Sequence, residues 1–218
     1  MNGQPYWTAR GTTDPELAAL MEVAAAALYA EDQHLARILD AGSAHGATST
    51  HPAIANVGHG LSYWVYETTL VYVIWRAWLE SGHVAAWDWT LQELALRDRI
   101  RKGEGGLRYD LVLYESSVEP HMVFEAKWWN LDTDRVRSAL DEDAAKLRGS
   151  RFFAKARKFL IVFWHEQESE SARMFRDVEA YANGARFAIR GTARFEARFL
   201  GKGRERLRGF FVVGLLEV

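Results

Sequence analysis

Three ionisable residues interrupt two otherwise apolar runs. Asp110 sits inside RYDLVLY (Arg108–Tyr114), and Glu125 and Lys127 bracket Ala126 inside MVFEAKWW (Met122–Trp129). If both runs are strands, side chains alternate between faces. Asp110, Val112 and Tyr114 then share one face, with Tyr109, Leu111 and Leu113 on the other. Likewise Val123, Glu125, Lys127 and Trp129 lie opposite Met122, Phe124, Ala126 and Trp128. With Glu115–Pro120 as the loop, Tyr114 pairs with His121, and counting back places Asp110 across from Glu125. Facing carboxylates repel. A divalent cation between them reverses that sign, because hard ions such as Mg²⁺ favour one or two carboxylates together with water and phosphate oxygens. Lys127, one strand step further, is placed to hold a water or to balance charge on a phosphate. The competing reading is a solvent-facing sheet surface on which Glu125 and Lys127 form a weak pair.

The elements that must position these residues follow from periodicity. Thr13 or Asp14 caps a helix that carries Pro15 and Glu16 in its first turn and Leu17, Leu20, Met21, Ala24 and Leu28 at helical spacing. Gly42 is the expected stop. A loop rich in Gly, Ser, Thr and His leads to a second helix, Leu61 to about Glu80, ended by Ser81-Gly82. Strands are expected at Val84–Leu91, Leu107–Tyr114 and Met122–Trp129, then an amphipathic helix over Asp132–Leu147. FLIVFW (Phe159–Trp164) reads as a strand buried on both faces. A helix over Glu170–Tyr181, ending near Asn183-Gly184, and terminal strands at Phe187–Leu200 and Leu207–Val218 complete the chain. No repeat or linker divides it, so one domain is expected over residues 1–218: an N-terminal helix and loop (1–60), a core (61–165) and a C-terminal helix with strands (166–218). The element order implies an α/β fold, a mixed sheet flanked by helices.

An acidic residue on one strand and Glu-x-Lys on the next resembles the PD-(D/E)XK superfamily of restriction-endonuclease-like phosphodiesterases. The common core of that superfamily is helix, three strands, helix, strand, and the order from Leu61 to Trp164 looks like it, about half the chain. The resemblance implies a restriction-endonuclease-like fold and a Mg²⁺-dependent nuclease (Mn²⁺ substituting), with DNA favoured over RNA and endonucleolytic cutting favoured. Asp110, Glu125 and Lys127 would be catalytic. Asp110, Glu125 and the Ala126 carbonyl would ligate metal, and Glu67 on the preceding helix is the candidate for a further carboxylate. A homodimer would supply two active sites for double-strand cutting. Two departures stand out: Tyr109 replaces the proline that often precedes the acidic position, and no QxxxY pattern follows Lys127. A different class of function is a non-catalytic nucleic-acid-binding or interaction module that keeps the fold.

Charge and composition set the remaining bounds. The formal net charge is -2, so an interface with nucleic acid has to be a local basic patch. Such patches are RDRIRK (Arg97, Arg99, Arg101, Lys102), Arg148–Lys158, and Arg186–Arg208. In the last, eight basic residues including Arg204 and Arg206 oppose two glutamates. Lys146 and Trp129 are further candidates for nucleic-acid contact, Trp129 by stacking on a splayed base. For Trp129 core packing is the competing role, and for Asp143 and Lys146 an exposed charged helix face. His45, His51 and His59 match no compact zinc spacing. The chain has no cysteine, which excludes disulfides and thiolate chemistry. It shows neither a signal-peptide pattern at the N-terminus nor an uninterrupted membrane span, and a cytoplasmic protein is expected.

Overall fold

Residues 5–10, 14–44, 67–90, 108–115, 119–129, 133–167, 173–200 and 206–218 are described by the structure, a computed structural model. The first helix, α1 (Pro15–Ala44), begins where Asp14 caps it. The Asp14 Oδ1 accepts the Leu17 N–H at 3.0 Å, and the Asp14 carbonyl accepts the Ala18 N–H at 2.9 Å. Leu17, Leu20, Met21, Ala24 and Leu28 are all buried, as their spacing requires. Gly42 does not stop this helix. A single glycine weakens a helix by only about 1 kcal/mol, and Ala41 and Ala44 on either side are strong helix formers.

Helix α2 (Glu67–Glu80) packs on α1, and the Trp78 indole N–H donates to the Leu20 carbonyl at 2.9 Å. A three-strand meander follows: β2 (Val84–Thr90), β3 (Arg108–Tyr114) and β4 (Pro120–Trp128). Helix α3 (Thr133–Gly149) then crosses over to β5 (Arg157–Gln167), which runs parallel to β4 with Glu125 beside Leu160 and Lys127 beside Val162. Helix α4 (Arg173–Ala185) precedes the hairpin of β6 (Ala188–Leu200) and β7 (Arg206–Glu217). A short N-terminal strand, β1 (Tyr6–Ala9), pairs with β6. All seven strands form one mixed sheet in the order β1-β6-β7-β5-β4-β3-β2.

Two apolar clusters cover the two faces of this sheet. Alternate residues of the strands, among them Leu111, Phe124, Ala126, Ile161 and Phe211, pack under α1 and α2. Their neighbours Val112, Val123, Trp129, Leu160, Val162 and Trp164 pack under α3 and α4. The layering is therefore helix, sheet, helix, a mixed α/β architecture. No described helix is long and apolar enough to cross a membrane.

Two local departures from expectation have clear causes. Strand β1 was not anticipated, because four residues at an edge carry no usable alternation. Trp7 anchors it by packing against the first cluster, and Gly191 makes the room: a Cβ there would lie 2.2 Å from the Trp7 ring. Helix α4 continues through Asn183-Gly184 to Ala185. Arg186 takes the left-handed turn (φ 60°), and the Phe187 N–H closes the helix on the Ala182 carbonyl at 2.9 Å. Phe187 is buried in the second cluster, and that anchor holds a non-glycine residue in a conformation glycine usually supplies.

Candidate active site

The β3–β4 ladder determines which charges meet. Leu111 pairs with Phe124, Val112 with Val123 and Leu113 with Met122. One further step along this register puts Asp110 opposite Glu125, as the strand count predicts. The turn end differs. Tyr114 pairs with Pro120 and not His121, and an irregularity after Leu113 absorbs the extra residue. Tyr109 also differs, packing with Phe153 in the second cluster and not alongside Leu111. Both Tyr109 and Asp110 lie beyond the last paired residue of this ladder. On the other side the β2–β3 pairing skips Asp88 (φ 47°) and Asp110 before it resumes at Trp89 and Tyr109, which breaks the regular alternation there. There the Asp110 carboxylate takes over as acceptor: its Oδ2 receives the Ala126 N–H at 2.7 Å. Ala126 thus enters the site through its N–H.

Around this pair the fold collects groups distant in sequence. Glu67, in the first turn of α2, lies at the end of β4. Its Oε1 is 3.1 Å from Lys127 Nζ, and its Oε2 accepts the Trp128 N–H at 2.9 Å. From the other face, α3 contributes Asp143, whose Oδ2 lies 3.2 Å from Lys127 Nζ. It also contributes Lys146, whose ammonium is 2.6 Å from Glu125 Oε1 and 3.6 Å from Asp143 Oδ1. Lys146 further donates to the Arg108 carbonyl at 2.9 Å and rests 5.2 Å from the Tyr109 ring centre. Four carboxylates and two ammonium groups are thereby brought together around the β3–β4 pair, between α3 and the start of α2.

The electrostatics of the cluster are unbalanced. Glu125 is only 3% exposed. Burial, followed by the charge of Asp110, pushes its carboxyl up to about 9, and Lys146 only partly offsets this. Burial likewise raises Asp110, outweighing the Ala126 N–H and the two lysines. Glu67 is raised by burial against the pull of Lys127. Burial opposes the charge on Lys127, but the Glu67 and Asp143 carboxylates overcome it and hold the ammonium firmly protonated. Glu125 Oε1 and Asp143 Oδ2, although close to lysines, make no well-aligned hydrogen bond. Among the described residues no three His, Asp or Glu groups are already arranged as a metal-binding set. The chemistry of the donors still fits a hard cation, because among the described residues four carboxylates gather around two ammonium groups and oxygen donors are what such an ion takes.

Each residue singled out in the sequence can now be placed. Asp110, Glu125, Lys127 and Glu67 converge, and both oxygens of Glu67 are engaged by Lys127 and the β4 backbone. Lys146 does not stand on an exposed helix face; it is drawn into the cluster with Asp143, their side chains 21% and 16% exposed. The signal was present in the helix. Asp143 and Lys146 directly flank Ala144 and Leu147, two residues of the buried stripe of α3, so both lie at the sheet-facing border. Trp129 is fully buried between α3 and α4, with Tyr181 at 5.7 Å between ring centres, and offers no face to a base. Arg97, Arg99, Arg101, Lys102 and Arg204 lie outside the described residues, as do His45, His51 and His59; Arg206 begins β7 opposite Leu200. Compared with known proteins, the chain matches no family model, no curated protein and no solved structure.

Proposed function

We propose that the cluster is the active site of a metal-dependent nuclease that hydrolyses phosphodiester bonds, DNA being the favoured substrate. The observation that carries this reading is the convergence of Asp110, Glu125 and Lys127 beneath α3, in a cluster of four carboxylates, one of them buried, and two lysines. The order α2, β2-β3-β4 meander, α3, parallel β5 supports it, being the order of the restriction-endonuclease-like core. Asp110 and Glu125 would hold the divalent ion, which when bound supplies charge neutralisation for a phosphate and acidifies water. The remaining steps belong to the chain's own residues. Glu67 and Asp143 hold Lys127 protonated, so that its ammonium compensates charge building on the phosphate oxygens in the transition state. The Trp128 N–H locks Glu67, and through it Lys127, to the β4 backbone. The Ala126 N–H keeps the Asp110 carboxylate turned toward β4. Cleaving both strands of a duplex would call for two such sites, hence a homodimer.

A second reading is a nucleic-acid-binding module without turnover. It is favoured by one observation: both lysines are paired with carboxylates inside the cluster. One experiment separates the two. Pure protein is incubated with plasmid, linear duplex, single-stranded DNA and RNA in Mg²⁺, Mn²⁺ or EDTA. Metal-dependent cleavage that disappears in folded Asp110→Ala and Lys127→Ala establishes the nuclease. Binding without cleavage under every metal condition establishes the module, and equal cleavage by wild type and both variants identifies a contaminant.

A further inference from the structure

The sheet face that carries the carboxylate–lysine cluster also carries a cleft of about 320 Å³ further along the sheet, where α4 meets β5, β7, β6 and β1. Its residues are unusual for an ordinary crevice. Glu166 is buried, 4% exposed, and the partner described for it is an indole and not a cation: the Trp164 Nε1–H donates to Oε1 at 3.1 Å. An unpaired buried carboxylate is costly unless a donor meets it. Opposite stand two arginines. The Arg194 guanidinium lies 3.5 Å over the Phe210 ring, yet its buried Nε has no hydrogen-bond partner among the described residues. Arg10 stacks 4.3 Å over Phe175 and donates to Glu179 at 3.0 Å, remaining 43% exposed. At the rim Tyr6 is 66% exposed, a flat apolar ring facing solvent.

An acceptor-only carboxylate, guanidinium donors and aromatic surfaces within one small cleft match the three parts of a nucleotide. A phosphate suits guanidinium, which offers it paired donors. A planar base suits the aromatic rings. A base edge bearing N–H donors suits the carboxylate. Guanine presents two adjacent donors on its pairing edge, N1–H and N2–H₂, whereas uracil presents one N–H flanked by acceptors. The volume is at the small end for ligand clefts, which suits one nucleotide and not an oligomer. We infer that this cleft binds a single guanine nucleotide, with Glu166 reading the base edge and Arg194 and Arg10 taking the phosphate. The inference does not depend on the nuclease reading, since binding is read without turnover.

Calorimetric titration of the full chain with GMP, UMP and inorganic phosphate tests it. GMP should bind at least about tenfold tighter than UMP, a difference of about 1.4 kcal/mol. Glu166→Gln keeps an oxygen for Trp164 but turns a donor toward the ligand, and should abolish the preference for GMP. Arg194→Met should weaken GMP and UMP alike. Asp110→Asn should leave GMP affinity unchanged, because the carboxylate–lysine cluster is a separate site. Failure of GMP to bind, equal affinity for GMP and UMP, a GMP preference that survives Glu166→Gln, or loss of binding in Asp110→Asn would each overturn the proposal.

Discussion

Two ionic networks in this molecule use similar groups to opposite effect. At the N-terminus of α1, Asp14 and Glu217 meet Arg157 and Arg190. Arg157 bonds Asp14 and, at 3.3 Å, Glu217, while Arg190 bonds the other Glu217 oxygen. Two carboxylates face two guanidinium groups, and Asp14 also accepts the Leu17 N–H. Its carboxyl is accordingly held below the ordinary range, mainly by that backbone N–H and then by Arg157 against the effect of burial. Beneath α3, four carboxylates face two ammonium groups, and Glu67, Asp110 and Glu125 are all raised. The first network is balanced and ties a helix to the sheet. Among the described residues the second holds more carboxylates than cations, an imbalance of the kind that perturbs pKa values.

The sharpest way to break the comparison is activity. Lys127→Ala or Asp110→Ala should lower Mg²⁺-dependent cleavage by at least about 100-fold, the scale of losing a transition-state charge partner. Asp14→Ala should leave cleavage per folded molecule unchanged. A gel-based nuclease assay on circular-dichroism-verified variants decides this, and equal losses in both networks would dissolve the distinction.

Metal addition should also separate them. Mg²⁺ at about 100 times its dissociation constant should stabilise the wild type by about 2.7 kcal/mol, read as a higher melting temperature. Asp110→Asn should lose that gain, and Asp14→Ala should retain it. Without metal, Asp14→Ala should destabilise by about 1 kcal/mol in urea unfolding, the usual worth of an N-cap. The Arg157 pair adds little to that figure, its side chains being 30% and 28% exposed.

The smallest effect is in pH dependence, where the signs are opposite. Asp14 is lowered in the folded state, so its contribution is present above its unfolded value near 3.8 and lost as pH falls through the acid range. Glu125 is raised from 4.5 to about 9, so the folded state binds the extra proton and metal-free stability declines as pH rises between those values. Melting temperatures from pH 3 to 9 in EDTA should show both flanks. Glu125→Gln, which stays neutral, should flatten the alkaline one, and Asp14→Asn the acid one. A flank that persists in its own variant would detach it from that network.

Much of the site was legible because a strand has period two. Any registration that pairs Leu111 with Phe124 turns Asp110, Glu125 and Lys127 to one side, and the intervening Val112 and Val123 already say that this side is covered. The sense of α3 was legible only in part. Its stripe of Val136, Leu140, Ala144 and Leu147 identified the buried face, but whether Asp143 and Lys146 at its border faced solvent or the sheet depended on where the crossover landed. Strand β1 was not legible at all, since its position rests on Trp7 filling the space over Gly191, a contact more than 180 residues apart in the chain.

By itself the sequence determined the local order, the elements with strong periodicity and the set of charges that share a sheet face, because these depend on neighbouring residues and the fixed geometry of strands and helices. Only the tertiary structure decided that Glu67 and Asp143 would clasp Lys127, that Lys146 would lie against Glu125, and that burial would push the Glu125 carboxyl well above the ordinary range. Those outcomes depend on desolvation and on distances between elements up to about 80 residues apart, and neither quantity exists until the helices have closed over the sheet.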